Sequence, residues 1–289
     1  MSKIITLRSL TYFIKRSISS DRYLKELIVE PLCDNDNGIT VFGLNRINGR
    51  NSFSRSFLEC LEDAVENVNM NNNVRVLIIR SHVPKVFCAG ADLKERKTMS
   101  EDEVQNFVKK LRKFMNKLEN VKVPVISAID GAAVGGGLEM ALATDIRIAS
   151  ENAKLGLVET SLAIIPGAGG TQRLPRLIGQ SLAKELIFTS KILTGIEAEK
   201  YGIVNYCVKQ NDEGNAAYQK SLEIAREILP NGPIGVRMAK KAINNGCETD
   251  INSGCLIEEL CYAQVIPTKD RIEGLKAFQE KRRPAYTGE

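Results

Sequence analysis

Two glutamates, Glu139 and Glu159, stand twenty residues apart, each following a glycine-rich or apolar run. A pair of carboxylates can divide acid and base work: in the addition of water to an activated double bond, one handles the water and the other the proton on carbon. Glu139 closes the run Gly131-Ala132-Ala133-Val134-Gly135-Gly136-Gly137-Leu138-Glu139, where three successive glycines leave the backbone amides bare as a helix is expected to begin. The first turn of a helix leaves its N–H groups unpaired and the helix dipole adds to their pull, so negative charge is drawn there. With Gly136 at that start, Glu139 falls three residues on, within one turn and on the same face. On their own the glycines are equally a tight turn that lets helix and strand pack closely, and an acid in a first helical turn is commonplace. The run is not a dinucleotide fingerprint, which requires G-x-G-x-x-G opening a helix and an acid at the next strand end.

A second turn of small residues, Phe87-Cys88-Ala89-Gly90-Ala91-Asp92-Leu93-Lys94, follows the β-branched run Val74 to Arg80. Small residues after a strand let a ligand approach the backbone. The amide of Ala89 would join that of Gly136 as the second donor that a developing oxyanion needs. Glu159 lies in Lys154-Leu155-Gly156-Leu157-Val158-Glu159-Thr160, where a short apolar strand gives way to a proline-glycine loop. A glutamate in that position, taken alone, is an ordinary solvated turn residue.

These segments, with Ile164-Ile165-Pro166-Gly167-Ala168-Gly169-Gly170-Thr171-Gln172-Arg173-Leu174, resemble the crotonase (enoyl-CoA hydratase) superfamily, in the family's order from about Leu27 to the C-terminus. The stretches Cys88 to Arg96, Gly156 to Ser190 and Ile257 to Glu289 resemble one branch of it nearly residue for residue. The resemblance implies an α/β fold, a crotonase-like superhelix of ββα turns, with a C-terminal helical region that builds trimers, commonly paired as hexamers. It implies an acyl-CoA substrate, with coenzyme A part of that substrate and no separate cofactor. Glu139 and Glu159 then correspond to the catalytic acids, and Ala89 and Gly136 to the oxyanion hole. Relatives that isomerise, hydrolyse or decarboxylate commonly lack one of the two acids, so holding both favours hydration. Glu139 is expected to serve the water and Glu159 the α carbon, although the sequence also accommodates the reverse.

The same resemblance sets out a substrate-binding surface: Arg46, Ala89, Gly90, Ala91, Asp92, Leu93, Lys94, Gly135, Gly136, Pro166 and Gly167, with Phe278 and Lys281 reaching coenzyme A from a neighbouring subunit. The family's usual proline after Asn45-Arg46 is replaced here by Ile47. Some relatives bind AU-rich RNA through a lysine-bearing helix near the first loop. The matching stretch here, Arg50 to Asp63, turns acidic in its second half, which opposes phosphate binding and leaves RNA a minor reading. A short-chain enoyl-CoA hydratase or isomerase of broader use is compatible with the same residues, as is a silent partner in a mixed oligomer.

The elements that must hold these residues follow from periodicity. Ile39 to Leu44, Val74 to Ile79, Val123 to Ile129 and Ile146 to Ala149 read as strands, and Phe57 to Val68 and Val104 to Leu118 as helices. Beyond about residue 214 only helical patterns remain: Ala216 to Leu229, Ile234 to Asn244, Ile251 to Val265 and Asp270 to Lys281, punctuated by Pro230, Pro233 and Pro267. The expected division is a leader over 1–22, a core over 23–215 and a helical assembly region over 216–289.

The 289 residues, 43% of them hydrophobic, suffice for one substantial core, and no run approaches the ~20 apolar residues of a membrane span. Residues 1–22 carry Lys3, Arg8, Lys15, Arg16 and Arg22 against Asp21 alone, a net of +4 out of the chain's +5. The basic excess is thus a property of that stretch and not a nucleic-acid footprint. Arginines, serines, an amphipathic pattern and no acid before Asp21 describe a mitochondrial transit peptide, from which a matrix location is expected. Seven cysteines without a C-x-x-C pair point to reduced thiols, and the single histidine, His82, removes triads and histidine-rich zinc sites. No metal is expected. Cys88 beside the second turn is a nucleophile only if His82, expected in a surface loop, reaches it.

Overall fold

The structure, a computed structural model, describes residues 26–289. The expected leader, 1–22, lies outside the described residues.

Six strands form the larger sheet in the order β1 (Leu27–Pro31), β2 (Ile39–Leu44), β3 (Val76–Ser81), β5 (Val125–Ile129), β7 (Ile146–Ser150) and β10 (Tyr206–Val208). Only β1 runs antiparallel to its neighbour; the others are parallel, joined by helical crossovers. The apolar runs are continuous because both faces of the sheet are covered. Phe42, Leu44, Leu77 and Ile79 face one cluster, built with helices α1 (Arg55–Met70) and α3 (Glu101–Glu119). Their alternates Val41, Val76 and Ile78 face another, built with Ala217, Leu222, Ile224 and Ala225. Strands β3 and β5 begin two residues later than their apolar runs suggest. At β5 the reason is Pro124, which has no N–H for the ladder; pairing starts at Val125, whose own N–H goes to Asp145 Oδ2 at 2.7 Å.

Of the smaller sheet only the short apolar strand from Lys154 was legible in the sequence. Its strands are β4 (Val86–Cys88), β6 (Ala132–Val134), β8 (Lys154–Gly156) and β9 (Leu193–Thr194), none longer than three residues. Three of them are parallel, with Cys88 beside Ala133 and Val134 beside Gly156. Parallel strands leave a sheet at one common end, so the segments that follow them emerge side by side. Those segments are the Ala89–Ala91 turn with short helix α2 (Leu93–Arg96), the glycine run entering α4 (Gly136–Leu142), and Leu157 to Glu159. This places the three motifs together.

Helices α5 (Gly170–Ile178), α6 (Gln180–Phe188) and α7 (Gly195–Lys200) complete the core. The division expected after residue 215 falls inside it. Helix α8 (Ala216–Ile228) lies on the larger sheet, and Asp130, at the end of β5, accepts from the Ala217 and Tyr218 amides at its N-terminus at 2.8 and 3.2 Å. Helices α9 (Pro233–Gly246), α10 (Ile251–Val265) and α11 (Lys269–Gln279) match the late helical patterns and carry exposed Ile243, Leu256, Leu260, Tyr262, Leu275 and Phe278. None of the described helices is long and apolar enough to cross a membrane.

Two ion pairs among the described residues tie this region to the core: an exposed one between Glu248 and Arg176 of α5 at 3.4 Å, and a more buried one between Lys240 and Asp145. Lys240 of α9 donates to Asp145 Oδ2 at 2.7 Å and to Val123 O at 3.0 Å. Replacing Asp145 with Ala strands both the ammonium and the Val125 N–H, and should cost about 2 kcal/mol in chemical denaturation. Asp145→Asn, which still accepts from one of the two donors, should cost less.

Candidate active site

Glu139 projects from the first turn of α4, as its spacing from Gly136 requires, and is 2% exposed. Its Oε1 accepts from the amides of Ala168 and Gly170, both at 2.8 Å. Burial raises its pKa, while the Gly170 and Ala168 amides and the charges of Arg173 and Arg112 pull the other way. Oε2 makes no hydrogen bond to any described residue and is left for a ligand.

Glu159 opens a 3-10 turn, Glu159–Leu162, at the exit of β8, and is 9% exposed rather than solvated. Burial, then repulsion from Glu139, push its pKa up to about 7. Its Oε2 is buried with no partner among the described residues. The turn is fastened by Thr160 Oγ1, which meets Ile187 O and Ser190 Oγ. Of these two carboxylates one is held by two loop amides and the other is reached only by its own backbone N–H, so the second is the one that keeps its proton to the higher pH.

The glycines between them have definite duties. Gly135 caps α4 with φ 53°, and a Cβ there would lie 3.2 Å from Glu159 Oε1. At Gly137 a Cβ would fall 2.1 Å from Cys88 O, so the helix lies directly on the second turn. The Gly90 Cβ position is 3.2 Å from Gly136 N, which brings the two turns into contact.

That contact corrects one expectation. The Ala89 N–H is already spent on Arg50 O at 3.1 Å, so it is not an oxyanion donor. Its neighbour in the same turn is the free one. Phe53 bridges Ala91 in parallel fashion, bonding Gly90 O and the Asp92 N–H, which turns the Ala91 N–H to the opposite side. Ala91 and Gly136 both have amides without an acceptor among the described residues. Sequence spacing did not distinguish Ala89 from Ala91 because the pairing partner lies some forty residues upstream in the chain.

The turn opens into a cleft of about 850 Å³ lined by Arg46, Arg50, Ser52, Ala89, Ala91, Asp92, Leu93 and Lys94, among others. Arg46 lines it but its charge is committed: it bonds Asp92 Oδ2 at 2.7 Å, Glu26 Oε1 at 3.1 Å and Ser52. Asp92 in turn caps α2. Arg46 and Asp92 therefore brace the cleft wall, and Ile47, 65% exposed, occupies the proline position without disturbing it. Arg50 and Lys94 are exposed on the rim, with no ion pair among the described residues. Pro166 is buried beside Gly170, and Gly167 borders the Glu139 loop. Phe278, 86% exposed, and Lys281 are not part of this cleft within one chain.

The one histidine and Cys88 lie as follows. His82 lies in the expected loop but is only partly exposed: its ring lies on Gly43 and its Nε2 is buried, with its pKa lowered mainly by burial. The Cys88 thiol is fully buried, pushed up to about 12, and donates to Asn51 O at 3.0 Å, an inert packing residue. In the stretch Arg50 to Asp63, Arg55 is engaged by Glu95 and Glu103, and Glu59 and Glu62 face Lys110, so no cationic patch forms there. Sequence reasoning passed over Asn51, Arg112 and Arg173. Asn51 is buried at φ 56° and stitches the first loop to Ser81 and Phe87.

Residues 34–289 match the family model described as enoyl-CoA hydratase/isomerase. The chain is 56% identical over 276 residues to the mitochondrial methylglutaconyl-CoA hydratase of Homo sapiens, covering 95% of this chain and 81% of the relative. It is 53% identical to the mitochondrial enoyl-CoA hydratase domain-containing protein 2 of Mus musculus, covering 91% and 89%. The crystal structure of an enoyl-CoA hydratase from Bacillus anthracis superposes with a TM-score of 0.87 at 48% identity, covering 91% of this chain and all of that one. With Glu139, Glu159 and the paired turns in place, the chain belongs to the enoyl-CoA hydratase/isomerase family.

Proposed function

We propose that this enzyme adds water across the 2,3 double bond of an enoyl-CoA thioester. The observation that carries this reading is the unequal pair of buried glutamates beside two free amides. Attack of water on the β carbon drives charge onto the thioester oxygen, where the Ala91 and Gly136 N–H groups receive it; one such donor contributes ~3 kcal/mol in the transition state. Glu139, whose Oε1 is held by two amides, takes the proton of the attacking water through Oε2. Glu159, pushed up to about 7 and so protonated in a large share of molecules near neutral pH, delivers its proton to the α carbon. The water's oxygen ends on the β carbon, and proton return from Glu139 to Glu159 through the next water resets the site. No separate cofactor is needed, because the thioester itself activates the double bond.

Within this class the favoured substrate is 3-methylglutaconyl-CoA, yielding 3-hydroxy-3-methylglutaryl-CoA in leucine degradation. The support is identity of 56–57% to the Homo sapiens, Mus musculus and Rattus norvegicus methylglutaconyl-CoA hydratases. Arg50 and Lys94 on the rim suit the phosphates of coenzyme A. Mitochondrial placement, with residues 1–22 as transit peptide, rests on their composition and on the mitochondrial names of those relatives. A homotrimer or hexamer would cover the apolar faces of α9 to α11 and bring Phe278 and Lys281 to a neighbour's cleft.

Hydration of 3-methylglutaconyl-CoA and crotonyl-CoA, measured side by side, should favour the branched diacid; preference for crotonyl-CoA would move the enzyme to fatty-acid oxidation. Glu139→Gln and Glu159→Gln should each lower kcat by at least about 10³-fold with little change in KM.

The raised pKa of Glu159 has a separate signature. Its proton is bound more tightly in the fold than in the unfolded chain, so the wild type loses stability as pH rises from 4.5 to about 7. Glu159→Gln has no such loss. The variant should therefore become the more stable protein across that window, by about 2 kcal/mol at pH 8, in urea denaturation at a series of pH values.

A further inference from the structure

Glu139 is oriented by a loop, Pro166 to Gly170, that has no regular structure of its own until α5 begins at Gly170. A loop that must aim two amides at one oxygen needs its peptide planes fixed from the other side, where the carbonyls point. Two arginines are found there. Arg173 Nη1 donates to Ala168 O at 3.2 Å, and Arg112 Nε donates to Gly167 O at 2.9 Å. The Gly167 carbonyl and the Ala168 N–H belong to one peptide plane, so the Arg112 bond directly sets the direction of an amide that holds Glu139.

Arg173 is anchored firmly. Its Nε and Nη2 form a two-point pair with Glu119 at 3.3 and 2.7 Å, and Nη2 also meets Asn116 Oδ1 at 2.8 Å, both at the C-terminal end of α3. The loop is shaped to admit it. Gly169 has φ 115°, and a Cβ there would lie 2.1 Å from Arg173 Nη1. A Cβ on Gly170 would sit 3.0 Å from Glu139 Oε1, so the opposite side of the loop is equally full.

We propose that Arg173, seconded by Arg112, is the positioning residue of Glu139: it locks the Pro166–Gly170 loop in the conformation that aims the Ala168 and Gly170 amides at Oε1 and leaves Oε2 to the water. Neither arginine touches the reacting atoms. Both also act as charges. They pull the Glu139 pKa down against its burial, whereas Glu159, the other carboxyl facing it, opposes ionisation of the pair. Glu119 offsets part of the Arg173 charge, and Arg96 bears on Glu159. The proposal rests on the reading of Glu139 as the base for water.

The test is the pH dependence of kcat for hydration of crotonyl-CoA by the full chain and by Arg173→Met, Arg173→Lys, Arg112→Met and Glu119→Gln. Arg173→Met should lower kcat ~10–100-fold with KM within about 3-fold, and move the ascending limb up by about one pH unit as Glu139 holds its proton longer. Arg173→Lys, which keeps the charge but not the fork, should lose kcat while holding the limb near its wild-type position. Arg112→Met should shift in the same direction by less, whereas Glu119→Gln, which frees the Arg173 fork but leaves its charge less offset, should lower kcat several-fold without moving the limb up. Folded Arg173→Met with wild-type kcat and limb would overturn the proposal; should it fail to fold, unchanged kcat and limb in both Arg112→Met and Glu119→Gln would do so. Glu139→Gln in the same assay separates the two layers: if it retains hydration, the reading of Glu139 fails, and if it is inactive while the arginine variants are unaffected, only the positioning proposal fails.

Discussion

A carboxylate withdrawn from water is unstable unless something replaces the water, and the architecture around Glu139 answers that constraint. Two amides converge on one oxygen at 2.8 Å each. Their convergence needs an irregular loop, the loop needs glycines, and the glycines need a guanidinium outside to hold what they leave floppy. Glu159 receives no comparable support and takes the other solution, holding its proton up to about pH 7. The asymmetry between two chemically identical side chains comes from what surrounds each: two loop amides and two arginine charges for Glu139, burial and the neighbouring Glu139 charge for Glu159.

The smaller sheet makes this arrangement possible. Strands of three residues contribute little stability, yet their parallel register fixes which turns become neighbours. Cys88, Ala133 and Leu155 are buried between them, and an inert thiol at Cys88 fits a position whose work is packing. The larger sheet supplies the rigidity that these short strands lack, through continuous apolar runs covered on both faces.

Much of this was legible in the residues. The four long strands and the helices from Arg55 and Glu101 announced themselves by periodicity, and α10 spans the apolar pattern read from Ile251 to Val265. Gly136 and Glu139 were found because three glycines before an acid at helical spacing make a strong local signal. What escaped was non-local. Ala89 and Ala91 are the same residue type in the same turn, and only pairing with Arg50 and Phe53 separates them. Arg46 looked like a free cation until Asp92 and Glu26 came alongside. Arg173 stood inside a quoted motif, but its partners Asn116 and Glu119 are more than fifty residues away in sequence.

Helix α8 covers the face of the larger sheet made by Val41, Val76, Ile78, Ile126 and Ile148. Strands β2 to β7 are all complete by residue 150, whereas this cover begins only at Ala216. On a ribosome adding ~5–20 residues per second, the nascent sheet spends several seconds with a naked aliphatic face before its lid is made. Synthesis of this enzyme therefore passes through a stage in which the exposed surface to be protected is the sheet face and not the catalytic turns.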